Sequence, residues 1–260
     1  MNATNEELSY IIGFLHGDGS YSTYSRNRGK ISVELSKRDA DILDKIQAII
    51  IEGKRSGRTR DTNFKKDYVS SIFTIHKKEI RDMLDLPVGK KCEAISPPEW
   101  VDEKHYIRGL CDADGSIGIT ADNKPFWSLC TSSEAIKDLI INKMKDIVGI
   151  EKRLHRNKRD GVYNIVLYAE DAVEFASYTY KKATIYLDRK YQSFSKIMKW
   201  ERTTPKRPGR KKVWLPEEDR IVLSNLPVKD KIILLNRSKS SISTRLWRLR
   251  QSQQTTESFH

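Results

Sequence analysis

Alternating apolar and polar positions predict a strand over residues 31–36, with one apolar face and one polar face. From 39 to 51 the apolar residues recur with helical spacing, which predicts a helix that buries one side. The same order returns later in the chain. An apolar segment at 126–130 predicts a strand, and the pattern at 133–148 predicts a helix.

Each half of the chain continues with further elements in a matching order. A basic segment comes first, at 54–60 and again at 152–159, and each is predicted to form a loop or a strand. The strands and helices that follow are predicted at 68–75, 77–85, 162–168 and 170–181. With a helix in front of each half, the pattern predicts an α+β protein made of two αββαββα repeats.

A repeated motif lies at the front of each half. Residues 8–20 read LSYIIGFLHGDGS, and residues 104–116 read KHYIRGLCDADGS. Five identities occur in register, each separated by 96 residues: Tyr10, Gly13, Asp18, Gly19 and Ser20 match Tyr106, Gly109, Asp114, Gly115 and Ser116. Identities in one register over so short a segment indicate a duplicated unit.

Small residues occur four positions apart in both copies of the motif, as Gly13 and Gly17 and as Gly109 and Ala113. Residues at this spacing share one face of a helix, and small side chains let two helix backbones approach closely. We therefore expect these four residues to form the packing seam between the two helices. The repeats would then be related by a pseudo-dyad.

This packing would bring Asp18 and Asp114 together at the ends of the two helices. The glycines that follow them, Gly19 and Gly115, are expected to end each helix in the left-handed conformation. A carboxylate is disfavoured at a helix C-terminus, and two nearby carboxylates repel each other. A divalent cation relieves both problems, and paired acids with Mg²⁺ suit phosphodiester hydrolysis. One Asp-Gly pair alone would indicate only a turn, whereas two in register favour catalysis.

The segments 11–19 and 107–115 resemble the two signature motifs of LAGLIDADG homing endonucleases in their single-chain form, and the second segment is the closer match. The resemblance covers roughly residues 6–200. It implies two repeats, at 1–96 and 97–200, whose curved antiparallel sheets form a saddle over duplex DNA.

The same resemblance implies the roles of the motif residues. Asp18 and Asp114 would be the catalytic acids, each serving one strand, and they would bind Mg²⁺ or Mn²⁺ together with Gly17 and Ala113. His16 departs from the family pattern at a position where Asp is common, and we expect it to pack or to orient its neighbours.

Family members also keep a basic residue near each active site. Lys91 lies in a segment similar to the one ahead of the family's second motif, and Lys190 lies in a segment similar to the one after the second repeat. The resemblance therefore implies that Lys91 and Lys190 assist catalysis. The alternative is that both are solvated surface lysines.

Net charge agrees with a nucleic-acid partner. The 260 residues include 48 Lys and Arg against 35 Asp and Glu, a formal charge of +13, which favours a polyanionic ligand. Strand residues that face away from the helices should meet the major groove: Ser32, Glu34, Ser36, Asn164 and Tyr168. The other expected DNA contacts in the two repeats are Arg55, Arg58, Arg60, Lys65, Lys66, Arg153, Arg156, Lys158 and Arg159. For any single one of them, the alternative is a solvated face.

The C-terminal segment differs from the repeats in composition. Residues 202–212 hold six basic residues and no acid, and the linker at 201–213 is predicted to lie along DNA through Arg207, Arg210, Lys211 and Lys212. Residues 214–260 are predicted to form a three-helix domain that resembles Myb/SANT-like helix-turn-helix modules. Arg245 and Arg248 on its third helix are expected to contact DNA. A solvated linker and a protein-contact module are the alternatives.

These observations predict a monomeric, site-specific double-strand DNA endonuclease that leaves 3′ overhangs. An intron maturase that binds RNA and a DNA-binding regulator remain alternatives on the same fold. The three cysteines form no CxxC pair, so neither a zinc ribbon nor a disulfide framework is expected. No apolar stretch reaches the length of a membrane span, and the first residues do not form a secretory signal. The expected location is intracellular, in the cytoplasm or an organelle that holds the host genome.

Overall fold

The computed structural model describes residues 3–26, 28–61, 63, 66–88, 93–202 and 214–257. The chain divides into two compact units, one ending at Arg202 and the other beginning at Thr203. The first unit contains both predicted repeats.

The first repeat is built around a four-stranded antiparallel sheet. Its elements are α1 (Asn5–Asp18), β1 (Gly19–Thr23), β2 (Gly29–Ser36), a 3-10 turn (Lys37–Asp39), α2 (Asp41–Ile49), β3 (Lys54–Arg60), β4 (Tyr68–Ile75) and α3 (Lys78–Leu84). The strand order is β1-β2-β4-β3. Ile31 and Val33 face the core, because strand residues two apart share one face of the sheet.

The second repeat follows the same plan with one strand fewer. Its elements are α4 (Glu103–Asp114), β5 (Gly115–Ile119), β6 (Pro125–Thr131), α5 (Glu134–Val148), β7 (Tyr163–Tyr168), α6 (Ala169–Tyr180) and α7 (Asp188–Ile197). The sheet has the order β5-β6-β7, again antiparallel. The predicted α+β class and its duplicated layout are confirmed.

The missing strand corresponds to the basic segment at 152–159, which the sequence predicted as a loop or strand. Residues 151–157 have no regular secondary structure, whereas β3 in the first repeat is a full strand. Two backbone hydrogen bonds, from Asn157 N to Val162 O and from Gly161 N to Asn157 O, close the turn before β7. The Lys152 ammonium donates to the backbone carbonyl of Val166. A side chain thus takes the place of a backbone N–H donor at this position of β7. The second segment is therefore a loop.

The described residues of the C-terminal unit form three helices, α8 (Pro216–Leu223), α9 (Val228–Leu235) and α10 (Lys239–Glu257). A small core forms from Val222, Leu235 and Ile242, and Trp214 packs against it. Arg237 lies over the Trp214 ring, 3.8 Å from its centroid, and its guanidinium pairs with Glu218. The three helices predicted for residues 214–260 are therefore present in the described part of this unit.

The two motif helices, α1 and α4, pack against each other in the core of the first unit. A methyl group built on Gly13 would lie 2.2 Å from the carbonyl oxygen of Tyr106. One built on Gly109 would lie 2.1 Å from the carbonyl oxygen of Tyr10. Both distances are far inside van der Waals contact, so only glycine permits this approach of the two backbones.

The expectation that Gly19 and Gly115 adopt left-handed backbone was wrong. Gly19 has φ −74° and ψ 158°, and Gly115 has φ −90° and ψ 178°, so both are extended. Each glycine is instead the first residue of a strand, β1 or β5. A methyl group on Gly19 would lie 2.6 Å from the Leu15 carbonyl oxygen, and one on Gly115 would lie 2.7 Å from that of Cys111. Space, and not a positive φ, requires glycine at both positions.

Among the described residues, no helix combines the length and the apolar character that crossing a membrane requires.

Candidate active site

Asp18 and Asp114 are the last residues of α1 and α4, and both are solvent-exposed. The close packing of the helices brings their ends together. A methyl group built on Gly17 would lie 2.2 Å from Cβ of Ala113 and 3.2 Å from Oδ2 of Asp114. The Asp114 carboxylate therefore lies beside the residue that precedes Asp18.

Two crossed hydrogen bonds tie the motif helices together below these acids. The Tyr10 hydroxyl donates to Asp112 Oδ2 at 2.7 Å, and the Tyr106 hydroxyl lies 2.7 Å from Nδ1 of His16. Tyr106 follows Tyr10 by 96 residues, and Asp112 follows His16 by the same number. The pairs are therefore pseudo-symmetric counterparts, and His16 has the packing and orienting position expected of it.

Asp112 is a buried carboxylate with three donors. The Tyr180 hydroxyl donates to Oδ1 at 2.6 Å, and the Leu187 amide donates to Oδ2 at 2.8 Å, in addition to Tyr10. Burial raises the pKa of Asp112, while these hydrogen bonds and the charge of Lys190 act in the opposite direction. Asp112 thus connects both motif helices to the segment that leads into α7.

Lys190 supplies a cation at the C-terminus of α4. Its buried ammonium donates to the carbonyl oxygens of Cys111, Asp112 and Gly115, at 2.5, 2.7 and 2.8 Å. An ammonium at this end of a helix offsets the negative pole of the dipole, directly below Asp114. With three donors used on backbone, Lys190 is placed to hold the end of α4, and its participation in catalysis stays a prediction.

A cleft of about 240 Å³ opens beside Asp114. Its other lining residues are His16, Gly17, Ile95, Cys130, Thr131, Ser132 and Val162. Burial is the largest cause that raises the pKa of the Cys130 thiol, and the charges of Asp114 and Asp160 add to it. Leu129 pairs with Gly115, the residue after Asp114, so Cys130 lies at the end of the second sheet that is nearest Asp114.

The oxygen donors at this site suit a hard divalent cation. Mg²⁺ is commonly held by one or two carboxylates together with water and phosphate oxygens. Asp18 and Asp114 supply two exposed carboxylates, and Gly17 and Ala113 are the backbone positions directly before them. Within the described part of the chain, no group of three or more His, Cys, Asp or Glu side chains could hold a metal ion. The donor set fits an ion that would be completed by water and DNA oxygens.

The first sheet turns a polar and charged face away from the helices. Strand alternation places Ser32, Glu34 and Ser36 on this face, together with Arg58 and Arg60 on β3. Glu34 accepts a 2.6 Å hydrogen bond from the Ser70 hydroxyl and pairs with Arg60 at 3.2 Å and Arg58 at 3.8 Å. Arg55 lies on the opposite face and pairs with Asp44.

The second sheet and its basic loop hold the corresponding residues. Asn164 and Tyr168 are exposed on the outward face of β7. Arg156 pairs with Glu134, and Arg159 pairs with Asp160. Arg153 and Lys158 are exposed in the same loop, and Lys66 is exposed ahead of β4.

Arg245 and Arg248, the two DNA contacts predicted on α10, differ in their surroundings. Arg245 is half-buried, pairs with Asp219 at 2.5 Å and lies over the Trp214 ring, so it braces α10 against α8. Arg248 is exposed. The remaining predicted residues lie outside the described part of the chain: Lys65, Lys91, Arg207, Arg210, Lys211 and Lys212.

Two buried polar residues were not singled out from the sequence. Arg108 is fully buried, donates to the carbonyls of Ile185 and Thr179, and pairs with Glu6 at 3.1 Å. Asp112 holds Tyr10, Tyr180 and Leu187. The motif itself carried a signal for Asp112, since the repeated tyrosine predicts a repeated partner across the seam.

The chain resembles known proteins in part of its sequence and in its fold. Residues 102–179, from the start of α4 into α6, match the family described as LAGLIDADG-like domain. A comparison with curated protein sequences gave no match.

Two solved structures share the fold. The homing endonuclease I-WcaI bound to its DNA recognition sequence aligns with a TM-score of 0.53 and 12% identity, over 75% of this chain and 88% of that chain. The LAGLIDADG meganuclease I-CpaMI bound to uncleaved DNA aligns with a TM-score of 0.50 and 14% identity, over 73% and 90%. At these identities the likeness establishes the fold, which is the α+β fold of these LAGLIDADG proteins.

Proposed function

We propose that this protein is a monomeric, site-specific DNA endonuclease that hydrolyses one phosphodiester in each strand of a duplex, using Mg²⁺ or Mn²⁺. The observation that carries the proposal is the pair of exposed carboxylates, Asp18 and Asp114, at adjoining helix ends in a positively charged chain. Gly13 and Gly109 let the two helices approach closely, and the buried Lys190 ammonium holds the end of α4. A turn that merely ended a helix would need neither feature.

The residues of the site have different proposed roles. Asp18 and Asp114 supply carboxylate oxygens to the metal, whose chemistry when bound is to activate water and to neutralise charge on the leaving oxygen. Lys190 fixes the end of α4, while His16 and Tyr106 fix the neighbouring turn of α1. The outward faces of the two sheets bind the duplex, and exposed arginines and lysines beside them contact phosphates.

The C-terminal unit extends the DNA contact as a helix-turn-helix module of the Myb/SANT type. Its third helix exposes Ser240, Ser243, Thr244, Trp247 and Arg248, which lie on the side of α10 away from the core. Arg245 braces this helix through Asp219 instead of reading DNA. Within the same proposal, the cuts cross the minor groove and leave 3′ overhangs. The host is a mobile intron or intergenic element in the compartment that holds its genome.

A randomised duplex library tests the proposal. Purified full-length protein is incubated with the library and Mg²⁺, with EDTA as the control, and the cut ends of the products are sequenced. One enriched site with 3′ overhangs, absent with EDTA, is the expected result. An RNA complex that survives loss of both acids, with no duplex cut, would favour the maturase alternative.

Truncation after residue 202 tests the role of the C-terminal unit. The expected result is a shorter footprint and a weaker salt dependence of binding, because phosphate contacts of the unit are lost. An unchanged footprint would favour the protein-contact alternative for this unit.

A further inference from the structure

The outward faces of the two sheets differ in charge. On the first sheet this face carries Lys30, Glu34, Lys54, Arg58 and Arg60. Its apolar side chains, Ile72 and Tyr68, pair in the register with the charged residues Glu34 and Arg60. On the second sheet, every residue of which the structure describes, the outward positions hold no charged side chain. They are Ser116, Gly118, Phe126, Ser128, Cys130, Asn164, Val166 and Tyr168.

The register orders the second face into three rows. Cys130 pairs with Asn164 in the row nearest Asp114. Ser128 with Val166 forms the middle row, and Phe126 with Tyr168 forms the far row. Rows two residues apart lie about 7 Å from each other, which is close to two base-pair steps of a duplex. An apolar side chain is therefore presented in both the middle and the far row.

These apolar groups are accessible and supported from below. Tyr168 is 53% exposed and Val166 is half-buried. The Phe126 ring lies against Gly118, where an added methyl group would stand 3.2 Å from the ring edge. Glycine at 118 thus leaves the ring room to lie flat on the sheet, with part of the ring facing outward.

We propose that the second sheet reads thymine methyl groups in the major groove, whereas the first sheet reads its half of the target through charged and hydrogen-bonding side chains. This inference rests on the proposed DNA-binding function and specifies what each half recognises. Apolar side chains contact the thymine methyl, and arginine pairs with guanine O6 and N7. The second half-site is therefore rich in A·T pairs, and its phosphates are bound by the adjacent loop through Arg153 and Lys158.

Deoxyuridine substitution tests this inference, because it removes only the methyl group. Binding of the full-length protein is measured on the selected target and on duplexes in which the thymines of one half are replaced. We expect about fourfold weaker binding for each methyl lost in the half bound by the second repeat, the value of one buried methylene-sized group. Replacing the thymines in the half bound by the first repeat should change the affinity by less than twofold.

Matched variants assign the effect to the sheet. Val166→Ala removes two methyl groups from the second face and should abolish the penalty at one thymine. Ile72→Ala makes a similar deletion on the outward face of the first sheet and should leave that penalty intact. Tight binding with no deoxyuridine penalty in either half would overturn the inference while the nuclease proposal stands. Failure to bind any duplex would instead overturn the proposed function, and this inference with it.

Discussion

The Tyr10 hydroxyl donates a 2.7 Å hydrogen bond to Asp112 across the seam between α1 and α4. The equivalent pair 96 residues away, Tyr106 with His16, crosses the same seam in the opposite direction. The duplicated motif therefore places one buried side-chain hydrogen bond on each side of the contact between Gly13 and Gly109. His16 and Asp112, the partners of these two tyrosines, each lie two residues before the acid that ends their helix.

Tyr10→Phe should lower the free energy of unfolding by about 1–3 kcal/mol, because buried Asp112 loses one of its three donors. Burial raises the pKa of Asp112 above its unfolded value of 3.8, so its contribution to stability declines as the pH rises through the interval between the two values. The Tyr10 hydroxyl favours the ionised form of Asp112. The difference in unfolding free energy between the wild type and Tyr10→Phe should therefore grow as the pH rises across that interval. Urea titrations at several pH values measure this, with exposed Tyr24→Phe as the control. A deficit that shrinks as the pH rises would contradict the assignment.

Gly109→Ala should destabilise the first unit by about 3 kcal/mol, because the new methyl group meets the Tyr10 carbonyl oxygen at 2.1 Å and the helices must separate. Gly57→Ala is the matched control, since a methyl group there has no neighbour within 4 Å. It should change stability by less than about 0.5 kcal/mol. Thermal unfolding of both variants provides the comparison, and equal melting temperatures would contradict the close seam.

Lys190→Met should remove the buried cation that holds the carbonyls of Cys111, Asp112 and Gly115, at a cost of roughly 3 kcal/mol. The end of α4 would loosen, so the strand served by Asp114 should be cut more slowly than the strand served by Asp18. Lys196→Met, at an exposed position of the same helix α7, is the control. Strand-specific cleavage rates make the comparison, and equal slowing of both strands would argue against a positioning role.

His105 gives the first unit a pH-dependent stability. Burial and the neighbouring Arg108 guanidinium lower the pKa of His105 below 6.5, and its Nδ1 lies 2.8 Å from that guanidinium. The unfolded chain then binds more protons, so stability falls as the pH drops below about 6.5. His105→Gln should remove this part of the decline, whereas His155→Gln, at an exposed position, should keep it. Unfolding measured between pH 7.5 and 5 tests the difference, and parallel curves for the two variants would count against it.

The predictable parts of this fold are those with a local signal. Apolar residues at helical spacing, such as Leu43 and Ile46 in α2, were enough to predict the helices. The small residues of the duplicated motif were enough to predict the packing seam between α1 and α4. Gly19 was misjudged because glycine was explained by backbone angle, while the real constraint is the space beside Leu15. The hydrogen bonds that Lys190 donates and those that Asp112 accepts join residues more than 65 positions apart, and such contacts follow from packing alone.

The strand-specific cutting of single acid variants tests the central claim most directly. The selected duplex is labelled on each strand in turn and incubated with Asp18→Asn, Asp114→Asn or the double variant, and binding is measured in parallel. Loss of the carboxylate charge at either position should stop double-strand cleavage and leave at most a nick, with affinity retained. The double variant should cut neither strand. Undiminished cleavage of both strands by both single variants would contradict the assignment of these acids as the catalytic pair.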